Sequence, residues 1–292
     1  MIDNYATYLT LLEIPQVGSE TLRKLISKFD SPETILFKSK QKDFANIDRI
    51  PKDLFEKIKI ARKRLDYNCL ILKRLKEKGI KIILSTDKNY PDNFKLLKSP
   101  PFLLFIWGNL DKDIEKSIAI IGSRTPSKKG VEIAFKSAYR LAKEVYTIIS
   151  GYAYGIDISA HLGAIKAKGK TILILPFGIL NFKLKGGIKS INDIIEKGAI
   201  ISEVHPKAPW QIGYAHNRNR LIVALSEKVL IVETRFQSGS MNTFNIAQQL
   251  NKEIYTIKYE KYPESAKGNK SLISKGALPL SSYKDVDIIT NL

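Results

Sequence analysis

Short apolar segments alternate with amphipathic segments from about residue 117 to residue 290. The apolar runs have the length and composition of buried β-strands, and the segments between them repeat apolar residues at helical spacing. The predicted strands are 118–121, 146–149, 171–176, 199–202, 228–232 and 253–257. The predicted helices lie near 128–143, 156–168, 189–197, 216–226, 241–251 and 268–275. This alternation predicts a doubly wound α/β domain with a mostly parallel sheet.

Residues 1–78 show helical periodicity only, and they predict a small all-helical N-terminal domain. A first apolar helix, a turn containing Gly18 and a second helix form a helix-hairpin-helix or SAM-like pattern. A second periodic stretch, 50–60, resembles a degenerate copy of this unit. Such a hairpin can place its turn amides against a nucleic-acid backbone, but a helical bundle used only for packing or protein contacts is slightly favoured.

Residues 79–116 connect the two parts and belong to the second predicted domain, 79–292. Ile80–Leu84 and Phe102–Trp107 are predicted strands, and Ser99-Pro100-Pro101 imposes a turn between them. They should extend the sheet at one edge. Trp107 lies within a continuous apolar run, so packing is favoured over a base-stacking role.

The net charge of the chain indicates which class of partner it binds. The chain has 292 residues with 48 Lys and Arg against 29 Asp and Glu, a formal charge of +19. This excess favours a polyanionic partner, with nucleic acid first, although a lysine-rich proteome would produce it too. Cys69 is the one cysteine, which excludes an internal disulfide, and its apolar neighbours predict a core position. No apolar run reaches bilayer-spanning length, so we expect a cytoplasmic protein without a membrane partner.

Two consecutive strands end in small-residue loops that suit phosphate. Gly122 permits a sharp turn, Ser123 offers a hydroxyl, and Arg124 presents a fork of donors before a helix that begins near Ser127. The next loop repeats this design before a helix that Asp157 is placed to cap. Its candidate phosphate-binding residues are Ser150, Gly151, Tyr152 and Gly155. Both loops should open at the carboxyl edge of the sheet.

The long loop after the third core strand interleaves aromatic and basic residues. Phe182, Lys183 and Lys185 are candidates for stacking on bases and neutralising phosphates of a single strand. A solvated loop with two incidental lysines is an equally good interpretation.

Two further loops complete the candidate interface. Arg218, Asn219 and Arg220 are predicted at the start of a helix, where cations oppose the helix dipole unless an anion compensates them. One arginine should face phosphate, and the other should pair with the bracing carboxylate of Glu203 or Glu233. A last small-residue turn predicts another anion site, formed by Ser238, Gly239 and Ser240.

No catalytic constellation is readable, and the chain is predicted not to be an enzyme. Asp157 and His161 are four residues apart on one helix face, which favours a hydrogen-bonded pair that braces the loop. No His and Cys cluster has the spacing of a metal site, and no cofactor is predicted. A nucleotide-sensing or nucleotide-processing protein is the alternative function, but the Pro-Gly-Gly-x-Gly-Thr-x-x-Glu loop of the phosphoribohydrolases is absent from the sequence.

The order and spacing of several motifs resemble the DprA (Smf) DNA-processing family. The upstream stretch from Asn89 to Asn109 extends the resemblance to about 200 residues. The core motifs are IIGSR (120–124), SGYAYGIDISAHLGAI (150–165), GKTILIL (169–175), ISE (201–203), RNRLIVALSEKVLIVET (218–234), SGSMNT (238–243) and GNKSLISKGA (268–277).

The resemblance implies an extended Rossmann-like fold and sequence-independent binding of single-stranded DNA. It further implies protection of incoming DNA during natural transformation, loading of the RecA recombinase and homodimerisation. Ala215-His216 stand where the family has an aromatic residue and proline, which leaves that loop's shape open. No winged-helix domain is expected after the core, so functions of that domain are not carried over.

Overall fold

The structure is a computed structural model that describes residues 4–111 and 114–290. Its helices are α1 (Asn4–Leu12), α2 (Ser19–Phe29), α3 (Leu54–Ala61), α4 (Leu65–Glu77), α5 (Asp92–Lys95), α6 (Lys128–Lys143), α7 (Ile156–Lys166), α8 (Asn192–Ile195), α9 (Ile212–Leu225), α10 (Gly239–Gln249), α11 (Asn269–Ser274) and α12 (Asp287–Thr290). Its strands are β1 (Ile80–Leu84), β2 (Leu103–Gly108), β3 (Ser117–Ile121), β4 (Thr147–Ser150), β5 (Thr171–Ile174), β6 (Ala199–Ser202), β7 (Lys228–Ile231), β8 (Glu253–Ile257) and β9 (Leu278–Leu280).

All strands of the described residues join one sheet in the order β1-β2-β6-β5-β4-β3-β7-β8-β9. In this order, the strands from β6 through β5, β4, β3, β7 and β8 to β9 are parallel to one another. At the other edge, β2 pairs antiparallel with β6, and β1 pairs antiparallel with β2. The predicted mostly parallel, Rossmann-like α/β fold is confirmed. Chain order reverses between β3 and β7, because α9 carries the chain back from β6 across the sheet. Ligands of such sheets bind at this reversal, outside the carboxyl ends of the strands.

Helices cover both faces of the sheet. Alternate residues of β3 separate the two layers, since Ile118 and Ile120 pack with α6 and α7 while Ala119 and Ile121 pack with α9 and α10. The strands are apolar at successive positions because both faces are buried. This burial explains why the strands were predictable as continuous apolar runs.

The helical unit α1–α4 packs against the sheet rather than standing apart. Its buried residues, among them Leu9 and Leu75, share one hydrophobic cluster with Leu103 and Phe105 of β2 and Leu173 of β5. The division of the chain near residue 78 remains our proposal; it falls between α4 and β1. The helical hairpin around Gly18 is formed by α1 and α2, whereas α3 continues through a single 3-10 turn into α4 without a comparable turn.

Three local predictions were wrong. The helix predicted at 216–226 begins at Ile212, so Arg218 to Arg220 lie inside α9 and the helix-dipole argument for them fails. The helix predicted at 189–197 is the single turn α8. Cys69 is exposed, because α4 buries its neighbours Asn68 and Ile71 and turns Cys69 to the opposite side.

Candidate nucleic-acid interface

A crevice of about 320 Å³ opens at the reversal point, beyond the carboxyl ends of β3, β4 and β7. We call it the edge crevice. Its buried lining residues form a floor and its exposed lining residues form a rim. The floor includes Asp157, Ala215, Arg218, Ile222, Thr234 and Thr243; the rim includes Arg124, Thr125, Ile212, His216, Arg235 and Gln237.

The loop after β3 contributes the first rim cation. Gly122 and Ser123 line the edge crevice, and the Ser123 amide donates to the Glu233 carbonyl at 2.8 Å, which fixes the loop against β7. Arg124 is exposed, and its guanidinium lies 5.6 Å from the ring centroid of Trp210. The arginine is therefore held over an aromatic face while its remaining donors stay open to solvent.

Glu233 fills the start of α6, where the sequence predicted an open phosphate cradle. This fully buried carboxylate accepts from the Ser127 amide at 2.9 Å and from the hydroxyls of Ser127, Tyr259 and Ser265 at 2.5 to 2.9 Å. The start of α6 therefore faces a carboxylate of the protein itself, while phosphate binding by Gly122, Ser123 and Arg124 remains a prediction. Through these hydrogen bonds, Glu233 holds the loop after β3 against the loop after β8.

Asp157 is buried beneath the loop that follows β4. Its carboxylate accepts from the Ala153 amide at 3.2 Å and from the Gly151 amide. Burial raises the pKa of Asp157, and the charge of Arg218 opposes this rise. Asp157 lies in the first turn of α7 rather than at its cap, which is Gly155 with a φ of 82°. The prediction that Asp157 caps this helix was therefore wrong.

The predicted Asp157–His161 pair does not form. One helical turn below Asp157, His161 faces β5 and its Nδ1 lies 2.8 Å from the Thr171 hydroxyl, while its Nε2 has no hydrogen-bond partner among the described residues. The Thr171 hydroxyl donates to the Ile148 carbonyl, so His161 Nδ1 is the donor. Burial lowers the pKa of His161 to about 3, with Arg218 and Lys185 adding to the effect.

Ser150 and Tyr152 are structural rather than open to a ligand. The Ser150 hydroxyl is buried and donates to the Ile120 carbonyl at 2.6 Å. Tyr152 has a φ of 60°, is almost fully buried, and donates its hydroxyl to the Lys183 carbonyl at 3.0 Å. The structure does not place either predicted phosphate ligand on the crevice surface. Both instead hold the neighbouring loops.

Arg218 forms part of the crevice floor. It is 6% exposed, Nη1 donates to the Ile174 carbonyl at 2.5 Å, and Nε has no partner among the described residues. The guanidinium occupies the space in front of Gly151, so the glycine makes room for the arginine and does not act as an anion cradle. Burial lowers the pKa of Arg218 to about 10; Asp157 raises it and Arg124 lowers it further.

Arg220 lies outside the edge crevice. It forms an ion pair with Glu203, and its Nε donates to the Asn217 side chain at 3.0 Å, in a second cavity beside the Gly18 turn. Arg218 and Arg220 point apart because two residues correspond to about 200° around a helix. The structure therefore separates Arg220 from the predicted phosphate ligands. Asn219 lines the crevice and donates to the Gly239 carbonyl at 3.3 Å.

The turn after β7 brings Ser238, Gly239 and Ser240 to the crevice, as expected for a loop at this edge. The Ser238 hydroxyl caps α10 by accepting from the Met241 amide. The amides of Gly239 and Ser240 lie in the first turn, where an α-helix provides no acceptors. Arg235, which the sequence interpretation missed, adds a rim cation and donates to the Thr125 hydroxyl at 3.2 Å.

The loop after β5 packs its aromatic residue inward. The Phe182 ring lies 5.1 Å from the Tyr152 ring and 6.5 Å from the Trp107 ring, so it is not an open stacking platform. Lys183 is exposed. Lys185 lies between two rings, 4.6 Å from Tyr152 and 4.5 Å from Tyr154, and its pKa is lowered by burial although Asp157 opposes the shift.

Exposed aromatic residues that were not predicted lie in the loops at the edge of the sheet where the crevice opens. Tyr154 and Phe236 are each 61% exposed, and Trp210 is 49% exposed. Each lies in a loop after a core strand and beside a lining residue or, for Trp210, under Arg124. Their position in loops at the carboxyl edge was readable from the sequence and would have identified them as stacking candidates.

The rest of the described chain offers few other kinds of site. Residues 4–111 and 114–290 contain no group of three His, Cys, Asp or Glu side chains arranged to hold a metal ion. Over the same ranges, every helix is too short or too polar to traverse a lipid bilayer.

The sequence and the structure were compared with protein families and with known proteins. A family model described as DNA recombination-mediator protein A matches residues 81–291. Protein Smf of Borreliella burgdorferi is 30% identical over 258 residues, covering 86% of this chain and 81% of that protein. The structure of DNA processing protein A from Streptococcus pneumoniae is 26% identical with a TM-score of 0.75, covering 98% and 97% of the two chains. DNA processing protein A of Helicobacter pylori, described by its single-stranded DNA binding mode, is 30% identical with a TM-score of 0.62, covering 73% and 98%.

Proposed function

Because this chain belongs to the DNA recombination-mediator protein A (DprA/Smf) family, we propose that its edge crevice binds single-stranded DNA without sequence preference. The observation that carries the proposal is the combination of cations and exposed aromatic side chains at one edge of the sheet. Arg124, Arg218 and Arg235 line the crevice, and Asp157 is the one carboxylate among its lining residues. Arginines neutralise phosphates, and aromatic faces stack on any base.

The exposure of the aromatic rings near the crevice favours a single strand over a duplex as the ligand. Tyr154, Trp210 and Phe236 present ring faces to solvent, which unpaired bases can cover and bases within a duplex cannot. The lining residues come from loops, from the N-terminal parts of α7 and α10 and from one face of α9, which favours contacts along a strand over insertion of one helix into a major groove. The contacts are thus to backbone and to base faces, which carry little sequence information.

Fluorescence anisotropy with a labelled oligothymidine and a duplex of equal length, over a salt series, tests the proposal. We expect tighter binding of the single strand. For each neutralised phosphate, the logarithm of its association constant should fall by about 0.7 for every tenfold rise in salt concentration. Arg124→Ala should weaken binding and flatten the slope. Lys166→Ala is the matched control, because it removes one exposed cation from the last turn of α7, at the opposite edge of the sheet. Equal effects of the two variants would contradict the crevice as the binding site.

Family membership supports three further proposals. We propose that the protein shields incoming single strands, loads a RecA-type recombinase on them, and acts as a homodimer. A nuclease-protection assay tests the first and recombinase ATPase activity on strands coated with single-strand-binding protein tests the second. Light scattering at increasing protein concentration tests the third; a constant monomer mass would contradict it.

A further inference from the structure

We propose that the edge crevice accepts a terminal phosphate monoester, so that a DNA strand enters it by a phosphorylated end. The inference rests on the proposed DNA-binding function and assigns a specificity to the same site. A free mononucleotide carries the same chemical group, and the experiment below separates the two sources.

The burial of the floor arginine distinguishes the end of a strand from its middle. Arg218 is 94% buried at the floor of the crevice, and its Nε, itself closed to solvent, has no hydrogen-bond partner among the described residues. A strand that crosses the rim has nucleotides on both sides of every phosphate, and these hold an internal phosphate away from the floor. A terminal phosphate projects from the chain and can descend to Arg218. The volume of the crevice, about 320 Å³, is of the order of one nucleotide.

The charge of the lining suits a monoester, which carries up to one more negative charge than a diester. Three arginines face one carboxylate, and the carboxylate of Asp157 is already engaged by the amides of Gly151 and Ala153. A dianion therefore gains more from this lining than a monoanion does. Arg218 itself remains charged at neutral pH, since burial lowers its pKa only to about 10.

The first turn of α10 provides amide donors on the opposite wall. This helix has 11 residues, and its Gly239 is exposed, with the nearest other side-chain atom, Nδ2 of Asn219, 3.9 Å from the position a Cβ would take. Among the described residues, the amides of Gly239 and Ser240 donate to no backbone acceptor outside α10, and the first turn of a helix leaves them none inside it. Helix amides and an incompletely paired arginine together form a site for an anion. Ile212, Ala215 and Ile222 of α9 line the apolar wall beside it, which suits a sugar or a base.

The test compares strand ends at constant sequence. Oligothymidines labelled at the 3′ end carry either a 5′-phosphate or a 5′-hydroxyl, and a circular oligothymidine of equal length has no end. We expect the 5′-phosphate to bind about 10-fold tighter than the other two, the factor that one additional charge-assisted hydrogen bond supplies. Titration with dTMP then separates the sources: competition at comparable concentration identifies a free nucleotide as a ligand, and weak competition identifies the strand end.

Two variants place the effect in the crevice. Gly239→Asp adds a carboxylate at an open position in the first turn of α10, where acidic residues are compatible with folding. It should abolish the preference for the 5′-phosphate, as should Arg218→Gln. Gly18→Asp adds the same charge at the N-cap of α2, away from the crevice, and should keep the preference.

The outcomes separate this inference from the function on which it rests. Equal affinity for phosphorylated, hydroxylated and circular strands would overturn the monoester site and leave single-strand binding intact. A preference that survives in Gly239→Asp would also overturn it. If no strand binds, the proposed DNA-binding function fails, and calorimetric titration with dTMP then decides whether the monoester site exists by itself.

Discussion

The guanidinium of Arg218 occupies the volume that a side chain on Gly151 would need. A Cβ at Gly151 would overlap Nη1, Cζ and Nη2 of Arg218 at once, and the guanidinium is anchored to the Ile174 carbonyl. The glycine of the loop after β4 therefore positions the arginine of α9. This contact links two segments that are 67 residues apart in the sequence.

Gly151→Ala should displace Arg218 and damage both stability and DNA binding. Overpacking of a buried site costs about 1–3 kcal/mol in the free energy of unfolding. Urea denaturation and oligothymidine anisotropy measure the two effects. Gly213→Ala is the control, because Gly213 lies in α9 with open space around it, and alanine there should stabilise the helix by about 0.5–1 kcal/mol. Equal stability of the two variants would contradict the packing of Gly151 against Arg218.

Glu233→Gln should destabilise the protein by about 2 kcal/mol or more. The carboxylate accepts hydrogen bonds from four donors, and an amide cannot accept from all of them without leaving a buried donor unpaired. Thermal or urea unfolding measures the change. Glu144→Gln, at an exposed position after α6, should be nearly neutral and controls for the removal of one charge. A neutral Glu233→Gln would show that the carboxylate does not brace these loops.

The contribution of His161 to stability should fall as the pH is lowered from 7 to 5. The pKa of His161 is lowered to about 3 in the folded protein and is about 6.5 when unfolded, so the unfolded state binds the proton first. The stabilisation is complete above pH 6.5 and is lost as the pH falls toward 3. Between pH 7 and 5 the loss is about 2 kcal/mol.

Urea unfolding of the wild type and His161→Gln at pH 7 and 5 isolates this contribution. The variant should show the smaller pH dependence, whatever its stability at pH 7. His205 is present in both proteins, and burial lowers its pKa as well. Its contribution to the pH dependence of stability is therefore common to both, and the difference between them reports on His161. Identical slopes for wild type and variant would contradict a neutral buried His161.

Trp210→Ala should weaken DNA binding, whereas Phe182→Ala should lower stability. Trp210 is half exposed beneath Arg124, so its loss should weaken binding of single-stranded DNA by about 1–3 kcal/mol with little change in stability. Phe182 packs against Tyr152 and Trp107, so its loss should lower the free energy of unfolding by about 2 kcal/mol. Anisotropy and urea unfolding measure both quantities. The reverse result would restore Phe182 as the stacking residue.

The sheet was predictable because each central strand is buried on both faces and appears as an uninterrupted apolar run. The strand predicted at 253–257 is β8, with the same bounds. β9 was missed because Leu278-Pro279-Leu280 is short and contains a proline. The start of α9 was misplaced because Gln211 provides no capping side chain to mark it.

The loops of the candidate site were predictable, but the direction of their side chains was not. The carboxyl ends of parallel strands converge, which brings Gly122, Ser123 and Ser238 to one crevice. Whether a polar side chain faces that crevice depends on partners distant in sequence. Glu233 turns inward because Tyr259 and Ser265 supply donors, and Arg220 turns away because Glu203 pairs with it.

Photocrosslinking of an oligothymidine that contains 4-thiothymidine, followed by mass spectrometry, identifies the residues that contact the strand. If the edge crevice binds single-stranded DNA, the crosslinked peptides should contain Tyr154, Trp210 or Phe236, and excess unlabelled single strand should abolish the crosslinks. Arg124→Ala should reduce them and Lys166→Ala should not. Crosslinks confined to the helical unit of residues 4–77, or unchanged in Arg124→Ala, would show that the strand does not bind in the edge crevice.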